Sequence, residues 1–206
     1  MAKAIILPGI DDAGIARWLH QRLGEALAAT AGEVAIAVPG GATPFPILAD
    51  LAAMELDWRR VAVWPGDDRL VPEDHPASNL GKIRALVEGR GARVIALTED
   101  ATPPRFALVW LGMGADGHIA SLFPNIDPRV DDPLRVRRLT PDPLPPEAPF
   151  DRVTLTIPAL LDSEELAFVI RGEAKRALFE QAMAGGNDLP VARLLGAARQ
   201  PVTCFA

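Results

Sequence analysis

The sequence contains no tyrosine, one cysteine, three histidines and fewer basic than acidic side chains. Cys204 has no partner for an internal disulfide, which fits a reducing compartment and gives no cysteine-based metal site. Twenty-one Lys and Arg against 27 Asp and Glu leave a formal net charge of −6. A nucleic-acid binder with a broad basic surface is therefore not expected, although a few local cations can still hold a small anion. No window approaches about eighteen uninterrupted apolar residues. The start, Met1 to Pro8, carries one positive charge on an apolar run too short for a secretion signal. These absences predict a cytoplasmic chain with no membrane partner.

What is present is 206 residues, 49% hydrophobic and 23% charged, the composition of a packed globule. That length suits one domain spanning residues 1–206. Short apolar runs alternate with segments of helical periodicity, the pattern of βαβ units. It predicts a single-domain, Rossmann-like α/β layered fold with a mainly parallel sheet flanked by helices. Strands are expected over Ala4–Leu7, Val34–Val38, Val61–Trp64, Val94–Leu97, Phe106–Leu111, Val153–Thr156, Leu166–Ile170 and Val202–Phe205. Helices are expected over Ala13–Ala29, capped by Asp11 or Asp12, from Thr43-Pro44 with Thr43 as cap, and from Ser78-Asn79. Two more are expected over Glu173–Ala184 and Val191–Leu195. The stretch from Pro124 to Pro149, crowded with proline, aspartate and arginine, reads as one long surface loop.

In open α/β sheets ligands bind just beyond the carboxyl ends of strands, so the strand-to-helix turns carry the functional content. In Val38-Pro-Gly40-Gly41-Ala42-Thr43-Pro44, two glycines lead into a helix start, where free N–H groups and a partial positive charge suit a phosphate. A capped tight turn would read the same way. In Trp64-Pro-Gly-Asp67-Asp68-Arg69, two acids and an arginine follow an apolar strand, a base candidate beside an anion clamp. A solvated, salt-bridged loop is the plainer account. The turn Gly112-Met-Gly114-Ala-Asp116-Gly117-His118 matches G-x-G-x-x-G, but Pro124 stops any long helix and no acid ends a following strand, so a dinucleotide site is rejected. Its content is instead Asp116 and His118 in a glycine-walled turn. There a histidine can move protons, a carboxylate can orient it, and backbone N–H groups can stabilise an oxyanion. His20, inside an amphipathic helix, and His75, in a polar loop, are weaker candidates.

Gly40-Gly-Ala-Thr-Pro44, Asp67-Asp-Arg69 with Val71-Pro72 and Ser78-Asn79, Leu111-Gly-Met-Gly-Ala-Asp-Gly-His-Ile-Ala-Ser-Leu-Phe-Pro124, Arg152-Val-Thr-Leu-Thr156 and Gly172-Glu-Ala-Lys175 occur in one order. Together they resemble the glucosamine-6-phosphate isomerase/6-phosphogluconolactonase family. Ile119-Ala-Ser-Leu-Phe-Pro124 is similar to the lactonase continuation, where the deaminases typically read I-A-F-N-E-P. The chain departs from the family at Ala42, usually serine, and Asp68, usually glutamate. A helix before the central strand is reduced to Glu99–Arg105.

The resemblance implies hydrolysis of 6-phospho-D-glucono-1,5-lactone to 6-phosphogluconate, so the expected partner is a small-molecule sugar phosphate lactone; the chain is expected to be a monomer or weak homodimer. His118 would act as base and then acid, Asp116 would orient it, and Asp67 would support both. The backbone at Gly112, Gly114 and Gly117 would donate to the oxyanion. The phosphate would rest on Gly40, Gly41, Ala42 and Thr43 with Arg69, Lys175 and Arg152. No metal cluster and no G-x-S-x-G elbow is visible, so neither metal, cofactor nor serine nucleophile is invoked. A sugar-phosphate isomerase or deaminase, a non-catalytic sugar-phosphate sensor and an NAD enzyme are the rivals.

Overall fold

Runs such as Val34–Val38 and Val61–Pro65 are too short for core helices and have no polar face. They form the centre of a sheet covered on both sides, with every residue buried. The computed structural model describes residues 4–144 and 148–206. The expectations at Met1–Lys3 and at positions 145–147 of the proline-rich stretch lie outside them. The strands are β1 (Ala4–Leu7), β2 (Val34–Val38), β3 (Val61–Pro65), β4 (Asp67–Arg69), β5 (Arg93–Val94), β6 (Leu108–Leu111), β7 (Val136–Leu139), β8 (Arg152–Leu155), β9 (Leu166–Val169) and β10 (Val202–Phe205). The helices are α1 (Asp12–Ala29), α2 (Pro44–Ala53), α3 (Asn79–Val87), α4 (Ile157–Leu161), α5 (Glu173–Met183) and α6 (Pro190–Ala197).

Seven parallel strands form the main sheet in the order β1-β10-β9-β6-β2-β3-β5. Successive side chains of a strand point to opposite faces, and β2 divides accordingly. Val34, Ile36 and Val38 join one core with Ile15, Leu19 and Leu23 of α1, Ile47 and Leu51 of α2 and Ile83 of α3. Ala35 and Ala37 join the other with Leu160 of α4, Phe179 of α5 and Val191 and Leu194 of α6. The result is the expected α/β layered architecture.

Between β2 and β6 the direction of chain progression across the sheet reverses. From β2 the chain goes on to β3 and β5 on one side, while β6, β9, β10 and β1 lie on the other. At such a switch point the turns leaving two neighbouring strands part and leave a crevice. Here those turns are residues 39–43 and 112–118.

Several expectations are corrected. Val153–Thr156 is not in the parallel sheet: β8 belongs to a three-stranded antiparallel sheet, β4-β8-β7. Asp67–Arg69 is its edge strand rather than a loop. The expected loop from Pro124 to Pro149 contains β7, whose Val136 packs into the core with Val153 and Leu155. Val94–Leu97 shortens to Arg93–Val94, with one further ladder bond from Ile95 N–H to Val63 O at 3.0 Å. Phe106 makes only an isolated bridge to Ser163 before β6 begins. Asp11 caps α1 through Gly14 N–H at 2.7 Å, and Ser78 caps α3 through Gly81 N–H at 3.0 Å. Thr43 does not cap α2: its own backbone is already helical and its hydroxyl makes no cap bond. Residues 99–105 carry no helix.

Candidate active site

The two turns at the switch point and the small sheet enclose one cleft with two lobes. The first, about 460 Å³, is lined by Gly40–Thr43 at the start of α2, by Gly112–Gly114 after β6, and by Arg171 and Lys175 at the start of α5. The second, about 610 Å³, is lined by Arg69, Asn79, Lys82, Ser121, Phe150 and Arg152 among others. The lobes meet at Gly40, Asp67, His118 and Ala120, which line both.

His118 Nδ1 lies 2.6 Å from Asp116 Oδ1, and the same oxygen accepts the His118 backbone N–H at 3.2 Å. With Nδ1–H donated to the carboxylate, the lone pair of the imidazole resides on Nε2. The ring also packs against Phe123, centroid to centroid 4.8 Å. Gly114 makes the seating possible, because a Cβ there would fall 2.2 Å from the imidazole and 2.5 Å from Asp116 Oδ1. The side chain of Asp116 is 52% exposed, so its electrostatic influence is partly screened and its positional role is the stronger one.

Two of the three oxyanion donors expected of the turn, Gly114 and Gly117, are engaged within it. Gly114 N–H donates to His118 O at 2.9 Å and Gly117 N–H to Gly114 O at 3.1 Å, so both close the turn on itself. Gly112 lines the first lobe, whereas Gly117 packs beneath Leu189 of the α6 N-terminus.

Asp67 is half-buried where the lobes meet. Burial pushes its carboxyl above the ordinary aspartate range, against the downward pull of a hydrogen bond from Ser121 and the charges of Arg69 and Arg152. Ser121 Oγ–H donates to Asp67 Oδ2 at 2.5 Å, and Ser121 N–H donates to Thr154 Oγ1 of β8 at 3.2 Å. This clamp joins the histidine turn to both β4 and β8. Sequence reasoning missed Ser121 and Thr154. Their signal was present in Ser121 lying three residues after His118 and in the polar alternation of Arg152 and Thr154. Asp68 points away from the cleft, taking the N–H groups of Asn79 at 2.6 Å and Leu80 at 2.9 Å at the start of α3. It is a cap, not a base.

The single phosphate cage expected from the sequence is divided. Lys175 shares the first lobe with Gly41, Ala42 and Thr43, its Nζ donating to Met113 O at 2.8 Å. Among the described residues no acceptor takes up the N–H groups of Gly41, Ala42 or Thr43. Arg69 and Arg152 line the second lobe instead. Of the weaker histidines, His20 bonds Glu55 O on the far side of α1, while His75 lines the second lobe with its ring edge-on to Phe150 at 5.2 Å. Among the described residues no three His, Cys, Asp or Glu side chains cluster as a metal site. No helix there is long and apolar enough to cross a membrane.

The family model for glucosamine-6-phosphate isomerases/6-phosphogluconolactonase matches residues 13–102 and 89–203. The chain belongs to this family. A 6-phosphogluconolactonase of Mesorhizobium japonicum is 36% identical over 195 residues, covering 84% of this chain and 82% of that protein. One of Pseudomonas putida is 36% identical over 199 residues, 86% of this chain and 80% of that protein. Two crystal-structure likenesses speak to the fold of this family member alone. The 6-phosphogluconolactonase of Thermotoga maritima superposes with a TM-score of 0.81 at 24% identity, over 98% of this chain and 99% of that one. A monomeric glucosamine-6-phosphate deaminase does so with a TM-score of 0.76 at 15% identity, over 97% and 96%. These two likenesses therefore show the fold and do not distinguish the activities named for the two proteins.

Proposed function

We propose that the chain hydrolyses 6-phospho-D-glucono-1,5-lactone to 6-phosphogluconate. The observation that carries this reading is the His118–Asp116 pair, 2.6 Å apart, at the junction of the glycine-turn lobe and a second lobe. A sugar phosphate reaches from one end to the other: its phosphate rests on the N–H groups of Gly41, Ala42 and Thr43 and on Lys175, and C1 comes to His118. Helix-start N–H groups and an ammonium are an ordinary phosphate set. The 36% identical relatives bearing the lactonase name support the same choice.

Nε2 of His118 takes a proton from a water as its oxygen adds to C1, and the carbonyl oxygen becomes an oxyanion. The C1–ring oxygen bond then breaks, and His118 returns the proton to the departing oxygen. Asp116 holds the imidazole in the tautomer that makes Nε2 the base. Asp67, fixed by Ser121, faces the reacting carbon from the β4 side.

The test is lactone consumption measured against its spontaneous opening, with glucosamine 6-phosphate as a parallel substrate. Acceleration of the first and no turnover of the second are expected. No acceleration over background, or preferred turnover of the amino sugar, overturns the reading.

A further inference from the structure

The second lobe contains a charge arrangement that phosphate binding in the first lobe leaves unused. Arg69 and Arg152 are directly opposed in the antiparallel register of β4 and β8. Arg152 is 3% exposed; its Nη2 donates to Ala148 O at 2.8 Å and its Nη1 is buried with no acceptor among the described residues. Arg69 donates from Nη1 to Ala77 O at 2.8 Å, and its Nε is likewise buried without an acceptor. Neither forms an ion pair among the described residues, although their neighbours on the same sheet do: Arg137 with Asp132 and Arg138 with Asp151. The nearest acids act on them only from beyond ion-pair distance and make their hydrogen bonds elsewhere, Asp67 with Ser121 and Asp68 with the start of α3.

Two like charges facing across a strand pair, one of them fully buried, are unfavourable unless an anion joins them. Burial, and then the charge of Arg69, lower the proton affinity of Arg152, the mark of a guanidinium short of a counter-charge. A planar carboxylate matches the guanidinium fork.

We infer that the Arg69–Arg152 lobe is a carboxylate subsite that receives the C1 carboxylate created by ring opening while the phosphate stays in the glycine-turn lobe. This rests on the proposed function and adds a specificity to it. The lactone brings a neutral ester to this end of the cleft. Negative charge appears at C1 only as water adds, and it persists once the carboxylic acid formed by ring opening loses its proton. The arginines therefore bind the substrate weakly and the charged species strongly, the difference that accelerates a reaction. A sugar acid phosphate is recognised at both ends, a neutral polyol phosphate at one.

The test compares binding of 6-phosphogluconate and glucitol 6-phosphate, equal in chain length and phosphate but differing at C1, by calorimetry on wild type, Arg152→Met and Arg152→Lys. Wild type is expected to prefer the acid by about tenfold or more. Arg152→Met should bind both ligands alike, with its affinity for the polyol within about threefold of wild type, and Arg152→Lys should keep part of the preference. Equal affinities in wild type, or a variant that weakens both ligands equally, overturns the carboxylate subsite. The wild-type comparison decides even if Arg152→Met does not fold. Binding of neither ligand by wild type overturns the proposed function itself, a different result from equal binding of the two.

Discussion

The two sheets contribute to the cleft in opposite ways. The seven-stranded parallel sheet is apolar along its inner strands and contributes backbone N–H groups, the Asp116–His118 pair and Lys175 from beyond its strand ends, at the turns Gly40–Thr43 and Gly112–His118 and at the start of α5. The three-stranded antiparallel sheet contributes side chains, because one face of it covers the core through Val136, Val153 and Leu155 while the other turns Asp67, Arg69, Arg152 and Thr154 inward. A parallel sheet buried on both faces has no surface to spare for charged groups. An antiparallel sheet that faces a cleft on one side does, so the glycine-turn anchor and the arginine pair come from different layers.

Five substitutions probe this division, from the largest effect to the smallest. His118→Asn should reduce catalysed lactone hydrolysis by about 10²- to 10⁴-fold, the usual loss for a general base, with thermal unfolding little changed. A variant within threefold of wild type would remove His118 from the mechanism. Gly114→Ala places a Cβ 2.2 Å from the imidazole. It should lower kcat by about tenfold or more while leaving 6-phosphogluconate binding nearly intact, since a displaced base harms chemistry before affinity. Unaltered kcat would mean that the turn yields freely.

Lys175→Ala and Arg69→Ala separate the lobes. The first should cost about tenfold or more in kcat/KM for the phosphorylated lactone and spare unphosphorylated gluconolactone; the second should impair both lactones alike. Identical patterns from the two variants would merge the lobes into one site.

The smallest effect concerns stability. Burial raises the Asp67 carboxyl above its unfolded value, so the folded state binds its proton more tightly. The resulting stabilisation is fully present below the ordinary aspartate value of about 3.9 and is lost as pH rises through the folded value. Asp67→Asn, which cannot ionise, should therefore gain on wild type in denaturant midpoint as pH rises above about 4, while losing activity. A difference that stays constant as pH rises from about 4 would show that burial does not govern this carboxyl.

The parallel sheet was legible in the sequence because its strands are short apolar blocks bounded by glycine and proline. The small sheet was not. Val136-Arg-Arg-Leu139 keeps two arginines inside a strand and lies among prolines, where composition argues for loop, and Asp67-Asp-Arg69 has no apolar residue at all. Both are strands because β8 pairs with them on either side, a tertiary cause that local propensity does not carry. The histidine turn was legible for the opposite reason, since Gly114, Asp116 and His118 interact within five residues. Ser121 and Thr154 meet across 33 positions, and only the fold reveals them. The glycines misled in one respect: a glycine-rich turn suggests free N–H donors, yet Gly114 and Gly117 use theirs to close the turn.

Strand β4 gives three residues two destinations. Its first and third side chains enter the cleft, while the middle one, Asp68, fastens the start of α3. Parity along a strand keeps these duties apart, since neighbouring positions face opposite ways. Substitution in β4 therefore edits one duty at a time, but loss or gain of a single residue between Gly66 and Arg69 would shift the reading frame of the strand. Asp68 would then be thrown into the reacting centre and its neighbours turned against the helix. Along this segment length should be guarded more strictly than identity, so the family should tolerate exchanged letters here long before it tolerates a changed count.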